Sequence, residues 1–234
     1  MRWKFILGLL TTCAVLMSMS YTMLIPFLPM YLIQDLGVVK ADVDMWSGAI
    51  FAITFLVSGI MAPIWGALAD KKSRKLMALR AGFCLAITYF LGGLVTNPWE
   101  LLGVRFIQGL SAGLWPALLA IISVESPKLK LGFCMGVMQG GMTAGGVLGP
   151  LFGGLLADQF GMRMAFFIAA AALFLITLAL LFFVKEEPRK PDPNAKPVKI
   201  WDFSLCKIPA VKRMLICAGV VQLTILMQQP IMPL

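Results

Sequence analysis

The chain has 234 residues, 60% of them hydrophobic and 13% charged, and its mean hydropathy of +0.89 excludes an ordinary soluble domain and indicates a membrane protein. It contains no histidine, and its 5 cysteines form no C-x-x-C pair, so neither histidine acid–base catalysis nor a metal centre is expected. The formal net charge of +9 does not indicate a nucleic-acid partner, because the basic residues lie in short loops between apolar segments.

Long uncharged runs predict transmembrane helices, because about 20 apolar residues cross a bilayer core and lipid offers no partner for unpaired backbone groups. The N-terminal run is about twice as long as the apolar region of a signal peptide, so we expect a retained first span. Six complete spans are predicted at 5–33, 45–69, 76–95, 99–124, 131–157 and 164–184.

A charged segment follows the sixth span. It opens KEEPRKPDPNAKPVK, whose charges and prolines cannot form a packed core, so we interpret 185–213 as a linker. Residues 1–184 then form a six-helix bundle, and 214–234 form the truncated first helix of a second bundle. The PIMP string at 230–233 repeats PFLP at 26–29, which is a chance match or the trace of a parallel repeat.

The basic residues are distributed unequally between the two sides of the predicted membrane. The N-terminus, two loops and the linker carry 16 of the 20 Lys and Arg residues, and the opposite side carries Lys40 and Arg163. The positive-inside rule therefore predicts a multi-pass cell-membrane protein with a cytoplasmic N-terminus. The other two basic residues, Arg80 and Arg105, fall within spans.

The loop after span two reads GALADKKSRK. Its basic residues fix the topology, and the residues alone leave open whether they have a second role. Asp70 lies at the C-terminal end of a helix, where the helix dipole disfavours a carboxylate, so a cation is needed nearby. Arg74 can supply that cation, and Glu125 at the inner end of span four can join the pair.

This loop resembles the signature G-x-L-A-D-(R/K)-x-G-R-(K/R) of the major facilitator superfamily, except that Ser73 replaces a glycine. The resemblance implies that Asp70, Arg74 and Glu125 form a charge cluster that latches a cytoplasmic gate, and that Gly66 belongs to the same gate motif.

Span four contains LLGVRFIQGLSAG at 101–113. A charge near mid-membrane costs roughly 2.5 to 3.5 kcal/mol, so Arg105 is a functional candidate, with snorkelling to the outer surface as the alternative. GLSAG matches a nucleophile elbow in letters only, and its glycines are better explained as a helix-packing face. Arg105, Gln108 and Gly109 resemble the family's R-x-x-Q-G motif, which implies a role in proton coupling.

All 11 acidic residues lie in loops or at the ends of the predicted spans. The span-one acid of some superfamily members corresponds to Thr22 here. We therefore expect the coupled proton to be carried by Asp35, at the outer end of span one, or by a residue of a second half.

Span five has a glycine at every fourth position, from Gly141 to Gly153, which predicts close approach of a neighbouring helix. Pro150 lacks an N–H and predicts a bend. The string G-x-x-x-G-P-x-x-G-G resembles the antiporter motif of drug:proton antiporters, and this match implies export. Its motif residues are Gly145, Gly149, Pro150, Gly153 and Gly154.

Two further features each have two alternative interpretations. Pro26 and Pro29 either kink span one or line the mouth of a cavity. Aromatic residues of the spans either line a promiscuous cavity or pack against helices and lipid. These residues are Trp46, Trp65, Tyr89 and Trp115.

Together these motifs resemble the N-terminal half of a twelve-span drug:proton antiporter. The resemblance implies an all-α membrane protein with a major facilitator six-helix bundle and a truncated seventh helix. It implies no enzyme activity, a proton gradient in place of a cofactor, and rocker-switch export of amphipathic small molecules. Partners would be the substrate, membrane lipid and a missing C-terminal half, without nucleic acid, in a protein that is monomeric when complete. The alternatives are an uptake or sugar carrier, or a half-length fragment that cannot transport.

Overall fold

The structure is a computed structural model that describes residues 2–71 and 73–184, with residues 213–214, 216–217 and 219–220. The predicted linker and seventh span therefore lie almost wholly outside the described residues. Of Asp70 and Lys71 only the backbone is described. The α-helices within residues 2–184 are α1 (Arg2–Thr22), α2 (Leu28–Gln34), α3 (Val43–Lys71), α4 (Arg74–Leu94), α5 (Pro98–Leu110), α6 (Leu114–Glu125), α7 (Leu131–Phe160) and α8 (Met162–Phe183).

Six segments of the described chain are long and apolar enough to cross a membrane. This confirms the predicted all-α membrane protein with six complete spans. Two spans are interrupted, however: the first is divided into α1 and α2, and the fourth into α5 and α6. Both breaks fall inside spans that the sequence predicts, 5–33 and 99–124.

Prolines explain the interruption of span one. Pro26 and Pro29 have no N–H, so the carbonyls of Thr22 and Ile25 lose their usual helical donors. The Thr22 carbonyl accepts instead from the Ile25 N–H at 3.3 Å, within a turn. Pro29 lies in the first turn of α2, where an N–H would have no acceptor within that helix. The prolines therefore end one helix and begin another.

Side-chain caps fix the starts of α4 and α5. Ser73, which replaces the family's glycine, has an extended backbone, and its hydroxyl accepts from the Leu76 N–H at 3.1 Å. Before α5, the Asn97 side chain accepts from the Glu100 N–H at 2.9 Å, while the Glu100 carboxylate accepts from the Thr96 N–H at 2.8 Å. Serine therefore fits this position without backbone strain, because the turn needs a helix cap and not a positive φ.

The bundle has two ends, which we call the basic end (residues 2–7, 70–75 and 125–131) and the far end (residues 34–43, 94–98 and 160–163). The main helix pairings are α1 with α7, α4 with α8, and α3 with α5. Buried apolar residues form one cluster toward each end. Exposed residues such as Leu151, Leu175 and Phe182 give the outside an apolar surface suited to lipid.

Candidate functional site

Arg105 lies in the middle of α5 and only 4% of its surface is exposed. Its Nη1 donates to Gln108 Oε1 at 2.9 Å, one turn further along the helix. The Gln108 side chain lies beside the phenol of Tyr89 from α4. Because the guanidinium lies inside the bundle and points to an amide partner, the snorkelling alternative does not hold. We call these three residues the Arg105 cluster.

The positive charge of Arg105 has no carboxylate partner among the described residues. It lies within electrostatic range of the Tyr21 phenol on α1, whose hydroxyl is buried and makes no hydrogen bond to any described residue. The backbone carbonyl of Arg105 accepts from Thr54 on α3 at 3.4 Å. Among the described residues the guanidinium hydrogen-bonds the Gln108 amide and no carboxylate, so its charge is not neutralised and can attract an anionic group.

Gly109 allows α5 to pack closely against α3. A Cβ on Gly109 would lie 2.8 Å from the Thr54 carbonyl oxygen and 2.8 Å from Val57 Cβ, both on α3. Only glycine therefore permits this helix contact, as the packing interpretation predicts.

A central cavity of about 350 Å³ lies beside the Arg105 cluster, which contributes Tyr89 and Gln108 to its wall. The wall is mainly apolar, with hydroxyl groups from α1, α3 and the connection between α5 and α6. Such a wall suits a small amphipathic molecule that makes few hydrogen bonds. Other lining residues include Met17, Tyr21, Thr54, Ser58, Ser111 and Trp115.

The four aromatic residues singled out from the sequence have different surroundings. Tyr89 and Trp115 line the central cavity, and Trp65 lines a second cavity. Trp46 packs edge-on against Trp99 at the far end, with 4.8 Å between ring centroids. The cavity interpretation therefore holds for three of them and the packing interpretation for Trp46.

The second cavity, of about 390 Å³, lies toward the basic end, and we call it the basic-end cavity. Gly66, Arg74 and Arg80 contribute to its wall. A Cβ on Gly66 would meet nothing within 4 Å, so this glycine widens the cavity and does not serve a close helix contact.

The predicted gate cluster is only partly described. Arg74 begins α4 and Glu125 ends α6, and both lie at the basic end, where these helices pack together. The side chain of Asp70 lies outside the described residues, so the cluster stays a prediction.

The glycines of α7 pack against α1. A Cβ on Gly145 would collide with the carbonyl oxygen of Val15, and one on Gly149 would lie 2.7 Å from the Met19 carbonyl oxygen. A Cβ on Gly153 would meet the Met23 carbonyl oxygen at the same distance. Pro150 lies inside the continuous helix, and Gly154 packs more loosely on Phe27.

Thr22, the position of the span-one acid in some superfamily members, lies against this stripe. Its hydroxyl donates to the Ser18 carbonyl at 2.9 Å and contacts Gly149, and it is absent from the wall of the central cavity. A carboxylate there would meet α7 and not substrate.

Asp35, the predicted proton carrier of this half, lies at the far end. Its Oδ1 accepts from Arg163 Nε of α8 at 3.2 Å, with the two side chains 26% and 40% exposed. Arg163 also donates to the Val95 carbonyl at 3.3 Å. The pair joins three spans at the far end and is separate from the Arg105 cluster.

The sequence interpretation did not identify Trp65 and Arg80 as partners of span four. Trp65 Nε1 donates to the Leu110 carbonyl at 2.8 Å, and Arg80 Nη2 donates to the Ala112 carbonyl at 2.8 Å. One signal was present, because Pro116 removes the donor that Ala112 would have in a helix. Arg80 was the second arginine placed within a span.

Comparison with known proteins identifies the family. The profile of the Major Facilitator Superfamily matches residues 10–232, which is nearly the whole chain. The chain belongs to the major facilitator superfamily. The match includes the predicted linker and most of the predicted seventh span.

Curated relatives carry the name multidrug resistance protein MdtG. The protein from Citrobacter koseri is 42% identical over 186 residues, which are 79% of this chain and 46% of that protein. The protein from Yersinia enterocolitica is 40% identical over 187 residues, or 80% of this chain and 45% of that protein. The chain therefore spans about half the length of the curated relatives it matches.

Solved structures share the fold. A bacterial homologue of the human lysosomal transporter Spinster aligns with a TM-score of 0.70 and 23% identity over 88% of this chain and 48% of its own. The POT family transporter PepTSo aligns with a TM-score of 0.68 and 14% identity over 80% of this chain and 40% of its own. Both confirm the bundle architecture.

Proposed function

We propose that this bundle is the N-terminal half of a proton-coupled exporter of amphipathic small molecules that works by alternating access. The observation that carries the proposal is the central cavity of about 350 Å³, mainly apolar and placed beside a buried arginine with no acidic partner among the described residues. Relatives with 40 to 42% identity are named multidrug resistance proteins, which supports drug-like substrates. The antiporter-type string in α7 supports the direction of transport.

A C-terminal six-helix half is proposed to cover α3 and α7. In the windows tested as membrane spans, only 17% of the residues of each are buried, against 33 to 56% in the other spans. The exposed face of α7 carries Gln139, Gly140 and Thr143 in mid-span. Small and polar residues suit a protein neighbour better than lipid. Residues 185–213 would link the halves, and 214–234 would begin the second.

Alternating access requires two gates. We place the basic end in the cytoplasm, following the excess of basic residues there, and assign the inner latch to Asp70, Arg74 and Glu125. The glycine contacts of α7 with α1 would let these two helices move as one unit when the halves rock, because a close backbone contact leaves no room for sliding.

The coupled proton is assigned to Asp35 or to a carboxylate of the C-terminal half. The Arg105 cluster would respond electrostatically, since a positive charge held in a low-dielectric site attracts a carboxylate and repels a proton. The driving force would be proton entry, without a bound cofactor.

Dye efflux from energised cells that express the full-length protein tests the proposal. Arg105→Ala and Asp70→Asn are each expected to slow efflux at least about tenfold, the effect of about 1.4 kcal/mol on the transport barrier. Ile107→Ala is the matched control, because Ile107 lies on the same helix with 46% of its surface exposed.

Unchanged efflux in Arg105→Ala and Asp70→Asn at equal expression would contradict the residue assignments. Accumulation of the dye, in place of its loss, would identify an uptake carrier.

A further inference from the structure

Span four is broken where the central and basic-end cavities meet. α5 ends at Leu110, α6 begins at Leu114, and Gly113 between them has a φ of +115°. Ala112 and Gly113 line both cavities, and so do Ser58 and Pro116. The break is therefore part of the wall that separates the two spaces.

The break leaves backbone carbonyls unpaired inside the membrane. In a continuous helix the Leu110 carbonyl would accept from the N–H of Leu114, and the Ala112 carbonyl would accept from residue 116. The chain is not helical at 111–113, and Pro116 has no N–H. Lipid cannot supply donors, so the protein itself or water in a cavity must.

Trp65 of α3 and Arg80 of α4 supply these two donors. The indole Nε1 donates to the Leu110 carbonyl and the guanidinium Nη2 donates to the Ala112 carbonyl, both at 2.8 Å. The guanidinium also stacks on the Trp65 ring, with 3.2 Å between its carbon and the ring centroid. We call this stacked pair the clasp.

The clasp connects α3, α4 and span four at one point, and this connection extends to the Arg105 cluster. Ser111 N–H bonds back to the carbonyls of Ile107 and Gln108 at 3.1 Å, so the end of α5 that the clasp holds is continuous with Gln108. Rotation of α5 about the break would turn the Arg105 cluster relative to the central cavity. α6 carries Glu125 at its opposite end.

We propose that Trp65 and Arg80 are positioning residues: they hold the two halves of span four at one angle and thereby position the Arg105 cluster beside the central cavity. The part of this inference that concerns transport rests on the proposed function. The structural part does not, because it concerns the angle between α5 and α6.

The angle is measurable by double electron–electron resonance on the purified full-length protein in lipid nanodiscs, in a background without native cysteines. Spin labels at Gly103 and Val124 span the break, since Gly103 has open space around its Cα and Val124 is 62% exposed. Labels at Met164 and Phe182 span unbroken α8 and form the matched control pair.

Arg80→Ala is expected to broaden the Gly103 to Val124 distance distribution to about twice its width and to leave the α8 pair unchanged. Arg80→Lys should narrow the distribution only in part, because an ammonium can donate to the Ala112 carbonyl but lacks the planar guanidinium that stacks on Trp65. Should Arg80→Ala fail to fold, Trp65→Phe decides, because it keeps the ring and removes only the donor to Leu110. An unchanged distribution in the variant that folds would overturn the proposal.

Transport kinetics give a second readout. The Arg80→Ala variant is expected to lower kcat about tenfold with KM changed less than about threefold, since the clasp would act on a conformational step and not on substrate contact. An equal rise in KM with unchanged kcat would overturn the positioning role. A wild-type protein that exports nothing, with the resonance result as expected, would overturn the proposed function and leave the clasp standing.

Discussion

At the scale of single residues, the main feature is a guanidinium held in the middle of a membrane bundle without a carboxylate among the described residues. Arg105 donates a hydrogen bond to Gln108, and the Gln108 side chain lies beside Tyr89. An amide orients the guanidinium but leaves its charge in place, whereas a carboxylate would neutralise it. We assign the proposed transport function to the uncompensated positive charge of Arg105.

Substituting Gln108→Glu tests this assignment. The side chain keeps its length and its acceptor 2.9 Å from Arg105, so the melting temperature in detergent should be unchanged or higher. Efflux should fall at least about tenfold, because the new carboxylate neutralises the charge. Wild-type efflux from Gln108→Glu would show that Arg105 acts through shape or hydrogen bonding and not through its charge.

Asp35→Asn tests the candidate proton carrier of this half. Breaking a partly exposed ion pair costs about 0 to 1 kcal/mol, so the protein should fold normally. If Asp35 carries the proton, efflux becomes independent of the proton gradient or is lost, as measured with and without an uncoupler. Arg163→Gln is the control, because it breaks the same ion pair and leaves the carboxyl group. Efflux that stays coupled in Asp35→Asn would move the proton site to the C-terminal half.

At the scale of helices, the sequence predicts the features that depend on hydropathy and on residue spacing, namely the transmembrane spans and the close-packed glycines. The six spans follow from runs of apolar residues, and the close-packing role of Gly145 and Gly149 follows from their four-residue spacing. That α1 is the helix which contacts them could not be predicted, because the partner depends on how all spans assemble. The break at Gly113 was missed because glycine in an apolar helix was attributed to packing.

The contact between α1 and α7 makes a prediction with an internal control. Gly145→Ala places a Cβ against the Val15 backbone, whereas Gly140→Ala meets nothing within 4 Å on the same helix. The first should lose about 1 to 3 kcal/mol of stability, with each kcal/mol lowering the melting temperature by about 2 to 4 °C. The second should be neutral. Equal melting temperatures for the two variants in detergent would contradict the close packing.

At the scale of the whole molecule, the described bundle presents an incompletely covered surface. α3 and α7 are the least buried spans, and the chain spans about half the length of the relatives it matches. Apolar exposure on α8 fits lipid, but the small and polar residues exposed on α7 do not. We propose that a second bundle packs against α3 and α7 and encloses the central cavity, which is lined here by residues of the described bundle.

The most direct measurement of the central claim is substrate-driven proton movement in proteoliposomes that contain the purified full-length protein and a pH-sensitive dye. We predict that an amphipathic efflux substrate added to one side of the membrane drives protons in the direction opposite to its own movement. Arg105→Ala should remove this proton movement without preventing reconstitution. Substrate transport by the wild-type protein with no proton movement, or proton movement in the same direction as substrate, would contradict it.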